Sequence, residues 1–366
     1  MSRAMDSPSV ENSRKRDLNP RGGKAMRAAV FSEFGGPEVV HVEEMQTPEP
    51  GVGEVRLAVK AAAMNHLDLW IRRGLPMKIT MPHIGGSDIA GVVEAVGPGV
   101  TGVAAGTRVV VNPSLGYSWY EGAPSGPNLR GPEFRIIGEH TQGGFAEYCV
   151  VPAENLVELP EGVPFETAAA ASLVSVTAWR GLLTRGMLRA GERVLVTGAS
   201  GGVSTMAIQI ARLAGARVFA ITSGSENVER VRALGADVVY DRKDRDWGKQ
   251  IFRDTEKLGV DLVLDSVGEA IWPQCLKALK VRGRLVTFGA TTGAKGDTEI
   301  RLVFWKQLSV LGSTMGTPQE YRTVMDLVFR GELKPMIHAV LPLEEARRAH
   351  EILEAGEAFG KVVLTP

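Results

Sequence analysis

The residues with the clearest chemistry form a glycine-rich turn. Arg193–Thr197 reads as a short apolar strand that runs into Gly198-Ala199-Ser200-Gly201-Gly202-Val203-Ser204 and then a helical segment ending near Ala214. Glycines at a strand–turn–helix junction let the backbone turn tightly and approach a pyrophosphate. The first turn of the helix adds free N–H groups and a partial positive charge. A glycine triplet alone is also what a plain tight turn looks like; the flanking strand and helix favour a dinucleotide site. Ser204 stands where the usual fingerprint has its last glycine, so the helix is expected slightly further from the strand, with the phosphate contact kept. About 20 residues on, where an acid would bond a ribose 2′-OH, the next strand ends in Thr222 and Ser223, with Arg230 following. Hydroxyls do not repel a 2′-phosphate, so NADPH is expected rather than NADH. The expected cofactor contacts are Gly198, Ser200, Gly201, Gly202, Val203, Thr222, Ser223 and Arg230.

The elements around this turn fall into three textures. From Met26 to about Pro152, strand-length apolar runs (Arg27–Phe31, Val55–Ala61, Ala90–Val96, Arg108–Val111, Phe145–Val151) are broken by Gly and Pro, as in a β-rich unit. From about Glu154 to Thr314, six short strands (Arg193–Thr197, Arg217–Thr222, Asp237–Tyr240, Asp261–Asp265, Arg284–Gly289, Ser309–Gly312) alternate with helical segments at Val203–Ala214, Glu226–Leu234, Trp247–Leu258 and Ile271–Ala278. That alternation predicts an α/β unit with a parallel sheet covered on both faces. The last stretch reads helix (Gln319–Phe329), strand (His338–Pro342), helix (Leu343–Ala355) and strand (Lys361–Leu364).

Composition narrows the function classes. The 366 residues carry 42 basic and 42 acidic side chains, so a polyanion such as nucleic acid is not an expected partner. The polar residues 1–25, with six bases and three acids, are expected to be a disordered tail. No uncharged apolar run reaches the length of a membrane helix; the longest, Ala168 to Trp179, stops at Arg180. A cytoplasmic location without membrane contact is expected. The only cysteines, Cys149 and Cys275, exclude a disulfide framework and any four-thiolate zinc site.

Several residue sets together resemble the medium-chain dehydrogenase/reductase superfamily: Ala90-Gly91-Val92-Val93-Glu94-Ala95-Val96-Gly97, Gly143-Gly144-Phe145-Ala146-Glu147-Tyr148, the turn at Gly198–Gly202, Arg232-Ala233-Leu234-Gly235-Ala236 and Phe359-Gly360-Lys361-Val362-Val363. The likeness covers about Met26 to Pro366. It implies a GroES-like β-rich catalytic domain at residues 26–155 and 316–366, interrupted by a Rossmann-type doubly wound cofactor domain at 156–315. It also implies a homodimer. Phe304, Trp305 and Lys306 are candidates for lining the substrate mouth or the dimer interface, with core packing an equal alternative for the two aromatics.

Many relatives are zinc alcohol dehydrogenases, and the positions of their catalytic zinc ligands hold Asn65, Ser87 and about Leu173 here, with Leu67 at the relay hydroxyl. Those of the structural zinc hold Tyr117, Tyr120, Ala123 and Gly131, in a stretch that also forms an aromatic loop with Trp119. No metal is expected. A residual site from His66, Asp68 and Asp88 is the alternative, with ion-pairing roles favoured. Without a Lewis acid to stabilise an alkoxide, the chain resembles the quinone oxidoreductase and enone reductase branch, in which NADPH reduces a quinone or the β-carbon of an α,β-unsaturated carbonyl. The resemblance implies that Asn65 donates to the substrate carbonyl or the nicotinamide ribose, that Asp68 orients its loop, and that Trp70 stacks or shapes the pocket. It places His66 at the pyrophosphate, Thr177 near the nicotinamide, and Ser266, Val267, Gly289 and Ala290 at strand ends where ligands bind in open α/β sheets. No general acid stands out, and solvent is expected to supply the proton. The alternatives are an alcohol dehydrogenase-like enzyme with a residual metal site, and a non-catalytic NADPH-binding protein.

Overall fold

A computed structural model describes residues 24–117, 134–244 and 247–366. Residues 1–23 of the expected tail, and Trp119, Tyr120, Ala123 and Gly131 of the expected aromatic loop, lie outside the described residues; the last two tail positions are ordered, Lys24 donating to the Tyr148 hydroxyl at 2.7 Å and Ala25 opening the strand Ala25–Phe31.

Six strands form one parallel sheet in the spatial order Val238–Asp241, Arg217–Thr222, Arg193–Val196, Val260–Asp265, Leu279–Thr287, Ser309–Gly312. Numbered along the chain this is the order 3-2-1-4-5-6 of a doubly wound sheet, whose strand order reverses beside the first strand and opens a crevice at the carboxyl ends. In the central strands Val194–Val196 and Val260–Asp265 are buried, as Val- and Leu-rich strands covered on both faces must be. The helix at Trp247–Asp254 is shorter than the periodicity predicts because the backbone turns left-handed at Glu256 and Lys257 (φ 56° and 65°).

A seven-stranded sheet runs Leu156–Glu158, Arg108–Val111, Asp88–Val96, Glu54–Ala63, Lys361–Thr365, Ile337–Pro342, with Tyr148–Pro152 also pairing Glu54–Ala63. The chain's last strand therefore returns to the first half of the fold. Its antiparallel register against Glu54–Ala63 is Val363↔Ala63 and Leu364↔Ala62, continued by a Met64 N–H bond to the Val362 carbonyl at 2.9 Å. Extending that register two residues sets Lys361 opposite Asn65. On the other side, Asp88 pairs with Ala63. Because side chains alternate with a period of two, positions 63, 65, 88 and 361 share one face at one end of the sheet.

The helix Phe165–Trp179, which the sequence reading registered only as an apolar run, joins the two sheets. Its Ala168, Ala169, Ala170 and Ala171 are fully buried in one core with Ala61, Ala63 and Ala90 of the mixed sheet and with Val196, Ala220 and Leu264 of the parallel sheet. Small side chains on both partners let helix and strands approach closely. The helix His66–Arg73 is also absent from the sequence reading; it begins where Glu54–Ala63 ends and carries most of the candidate chemistry.

Candidate active site

Asn65 precedes the first turn of the helix His66–Arg73 in an extended conformation. Asp68, three residues into the helix, accepts from the Asn65 N–H at 2.7 Å and from the Gly86 N–H at 2.9 Å. The first bond is half of a capping box; the second ties the helix start to the loop before Asp88. Burial pushes the Asp68 carboxyl up to about 6 against the pull of these two N–H donors. Both oxygens are engaged by backbone N–H groups.

The face predicted by the register holds a closed triangle. The Lys361 ammonium donates to Asn65 Oδ1 at 2.6 Å and to Asp88 Oδ2 at 2.7 Å, and Asn65 Nδ2 donates to the same Asp88 oxygen at 2.9 Å. The other Asp88 oxygen accepts from the Leu173 N–H at 2.6 Å. Asp88 is 0 % and Lys361 3 % exposed, whereas Asn65 is half-buried, so the amide is the member of the triangle within reach of the cleft. Beside it, Leu67 and Leu173 pack against the buried Tyr117, Ile136 and Met315 and form an apolar wall. His66 lies close enough to Lys361 that burial, then the Lys361 charge and then Arg73 hold its imidazole below the ordinary value. Trp70 follows His66 by one helical turn. It therefore shares the face of His66 and lies roughly opposite Asp68 on the helix, half-buried.

The glycine turn comes directly against the last strand. The Gly360 N–H donates to the Ser200 carbonyl at 2.7 Å, and a Cβ on Gly202 would lie 2.7 Å from Lys361 Cδ. Close approach at Gly202 thus serves the lysine stem. Gly198 needs its glycine for a left-handed backbone (φ 54°) beside Ser266 and Val267. Ser204 ties the helix to the strand by donating to the Thr197 carbonyl at 2.8 Å. No side chain caps the helix Gly202–Leu213, which leaves its first N–H groups for an anion. At the next strand ends, Thr197 donates to Asp265 at 2.7 Å, Asp265 accepts from the N–H of Val267 (3.1 Å) and Gly268 (3.0 Å), and a Cβ on Gly289 would press on the Ser266 carbonyl. Gly198, Ser266, Val267 and Gly289 are thereby brought together at the carboxyl ends of the parallel strands, and Ala290 lies against Gly268. Thr177 is buried and donates back to the Leu173 carbonyl at 2.9 Å. Thr222 is buried with its hydroxyl unpartnered at the end of its strand. Arg230 is further along the helix Ser225–Ala233, its guanidinium 3.8 Å over the Phe359 ring. A shaped glycine turn, an uncapped helix start and an unpaired hydroxyl at a strand end fit a dinucleotide.

The comparisons agree with this architecture. Residues 51–161 match the alcohol dehydrogenase GroES-like domain, and residues 202–330 match the zinc-binding dehydrogenase family. The quinone oxidoreductase of Homo sapiens is 30% identical over 354 residues, 94% of this chain and 98% of that protein. The chain belongs to the medium-chain dehydrogenase/reductase superfamily, in its quinone oxidoreductase-like branch. The acryloyl-coenzyme A reductase of Sulfurisphaera tokodaii is 30% identical over 89% of this chain and 96% of its own. A solved structure described as an NAD-dependent alcohol dehydrogenase superposes with a TM-score of 0.88 at 44% identity, covering 93% of this chain and all of that one.

This medium-chain oxidoreductase carries a donor set that does not fit a catalytic zinc. The three ligand positions hold an amide, a hydroxyl and an alkyl group, and zinc is held by thiolate, imidazole or carboxylate. The amide oxygen at the first position and the carboxylate beside the second converge on an ammonium, which would repel a dication. Among the described residues no three His, Cys, Asp or Glu side chains cluster as a metal site.

Three site residues escaped the sequence reading. Lys361 was seen only as part of a family motif. Glu139 is brought near Asp68 because Gly138 packs on the Gly86 backbone; burial, then the Asp68 charge, raise its carboxyl to about 7. Arg242, at the end of the strand next to Thr222, donates its N–H to the Thr222 carbonyl at 2.7 Å and is exposed. The signal for Arg242 was available, in a basic residue just after a strand, but its adjacency to Thr222 depends on the parallel pairing of Thr222 with Asp241.

Proposed function

We propose that this oxidoreductase works without zinc and uses NADPH to reduce a quinone or the β-carbon of an α,β-unsaturated carbonyl. The observation that supports this reading is the Lys361 ammonium lodged between Asn65, at the first ligand position of the family's catalytic zinc, and Asp88, beside the second. The nicotinamide supplies hydride when bound. Negative charge develops on the substrate's carbonyl oxygen as its double bond is reduced, and Asn65 Nδ2 is the donor that meets it, in a site walled by Leu67 and Leu173. Asp68 holds Asn65 and the Gly86 loop in place, Trp70 shapes the outer pocket, and solvent returns the proton. His66, Thr177 and the residues of the glycine turn, with Ser266, Val267, Gly289 and Ala290, hold the dinucleotide. Thr222 and Ser223 with Arg242 favour the 2′-phosphate, and Arg230 acts on the same cleft through Phe359.

The reading includes a cytoplasmic homodimer built from a catalytic domain at 26–155 and 316–366 and a cofactor domain at 156–315. The sheet edge Ser309–Gly312 and the neighbouring helix Ile300–Trp305 expose Val310 (45 %), Ile300 (73 %), Phe304 (62 %) and Trp305 (81 %), which favours the dimer interface over the substrate mouth for these aromatics. The test is oxidation of NADPH and NADH with a panel of quinones and enones, with and without EDTA. NADPH turnover unaffected by EDTA is expected; no turnover with any acceptor, or loss on chelation, overturns the reading. The 44% identity to an alcohol dehydrogenase keeps one rival: stoichiometric zinc in the purified protein, with alcohol oxidation, would establish it.

A further inference from the structure

The triangle of Asn65, Asp88 and Lys361 carries more than the absence of a metal site. An asparagine amide has an acceptor edge and a donor edge, and its orientation is set by its partners. Here the partners leave one choice, because an ammonium only donates and an ionised carboxylate only accepts. Rotating the amide would face its NH₂ to the Lys361 ammonium and its oxygen to Asp88. Neither partner has freedom to adapt. Asp88 is tied through its second oxygen to the Leu173 N–H at 2.6 Å and is fully buried. The Lys361 stem crosses Gly202 and is 3 % exposed. Asn65 Nδ2 carries two hydrogens and spends one on Asp88.

Resting on the carbonyl-reductase reading above, we infer that Lys361 and Asp88 are positioning residues that lock Asn65 as a hydrogen-bond donor toward the cleft. The ammonium stabilises the site through the amide rather than by touching substrate. The lock selects substrates that present an acceptor, a carbonyl oxygen, and disfavours groups that must donate at that point.

The experiment compares Asn65→Ala, Asp88→Asn, the charge-neutral pair Lys361→Met/Asp88→Asn, and the triple variant. Asp88→Asn is isosteric and keeps the bond to Leu173; the pair avoids a lone buried charge. The readouts are kcat and the KM for NADPH, with the side-chain amide resonances of enzyme labelled with ¹⁵N-asparagine, Asn65 being assigned by its loss in Asn65→Ala. The lock predicts that kcat falls about 10²-fold in Asn65→Ala, by a similar factor in the pair and less in Asp88→Asn, with the KM for NADPH little changed. It predicts no further loss in the triple variant, and an Asn65 amide signal that moves to the free-asparagine position in the pair. Multiplicative losses, or an unmoved Asn65 signal, overturn it. Wild-type enzyme that reduces no quinone or enone overturns the reductase reading alone, and the resonance then decides the lock.

Discussion

Gly202→Ala offers a direct test of how the glycine turn is built. A Cβ at Gly202 would lie 2.7 Å from Lys361 Cδ, 3.1 Å from Val174 Cγ1 and 3.3 Å from Lys361 Cγ. A flexible side chain would ordinarily yield, but this stem is held at one end by its strand and at the other by Asn65 and Asp88, 2.6 and 2.7 Å from its ammonium. Overpacking of a site that cannot relax costs about 1–3 kcal/mol. For a domain of this size that is roughly 2–10 °C in Tm. To the extent that the lysine is pushed off Asn65, the same energy is about 5- to 160-fold in kcat/KM. Gly201→Ala is the control. Its Cβ would meet only the Gly198 carbonyl at 3.3 Å, on a backbone (φ −73°) that any residue adopts. Thermal unfolding and steady-state kinetics of the two variants are the assay. Gly202→Ala is expected to lose both Tm and kcat/KM, and Gly201→Ala to keep its Tm. A Gly202→Ala enzyme as stable and active as wild type, or two variants equally destabilised, would refute the reasoning, because the turn would then be shaped for the cofactor alone.

Other outcomes follow from the same contacts. His350 is buried, and burial holds its imidazole at about 3. The unfolded chain therefore binds a proton below pH 6.5 that the folded chain refuses, so the stability this histidine allows is full above 6.5 and falls by up to about 1.4 kcal/mol per pH unit as the solution is acidified. His350→Leu should flatten the acid limb of a pH series of urea unfolding curves, and an unchanged limb counts against burial as its cause. Glu139 has the opposite sign: a folded value raised to about 7 means its ionisation opposes folding as pH rises, so Glu139→Gln should gain stability relative to wild type between pH 5 and 8 and not below. Arg242→Glu should weaken NADPH more than NADH in fluorescence titration; equal losses would remove Arg242 from the 2′-phosphate. Trp305→Glu should shift the protein toward monomer in analytical ultracentrifugation, and a sedimentation pattern identical to wild type would move the interface elsewhere.

Much of the cofactor half was legible because its signals are local. Six apolar strand runs, separated by periodic helices and punctuated by glycine, can form a covered parallel sheet and little else, and the turn at Gly198–Gly202 marks its first crossover. The helix Phe165–Trp179 was missed because its pattern is apolar on nearly every face: a helix buried between two sheets has no polar stripe to reveal its period. The helix His66–Arg73 was missed because it is short and enters directly from a strand. Asp68 was recognisable by its family motif, but its partner Gly86 sits in a loop whose position depends on long-range pairing. Glu139 looked like any loop glutamate until Gly138 was found pressed on Gly86.

Lys361 shows where reading along the chain stops. It lies 296 residues from Asn65, in a strand whose motif reads as a family signature with no chemistry attached. What gives it a role is register. With Val363 opposite Ala63, and Asp88 opposite Ala63 on the other side, the ammonium, the carboxylate and the amide converge; a shift of one residue in the last strand would turn Lys361 to the far face and leave Asp88 buried without its cation. An uncompensated buried carboxylate costs several kcal/mol, so the charge pair and the register enforce one another. The same contact presses the lysine stem onto Gly202. The last strand of the mixed sheet is thus fixed at once by its ladder, by the Asn65 amide and by the first turn of the helix Gly202–Leu213. The positive charge that organises this end of the sheet is part of the chain itself.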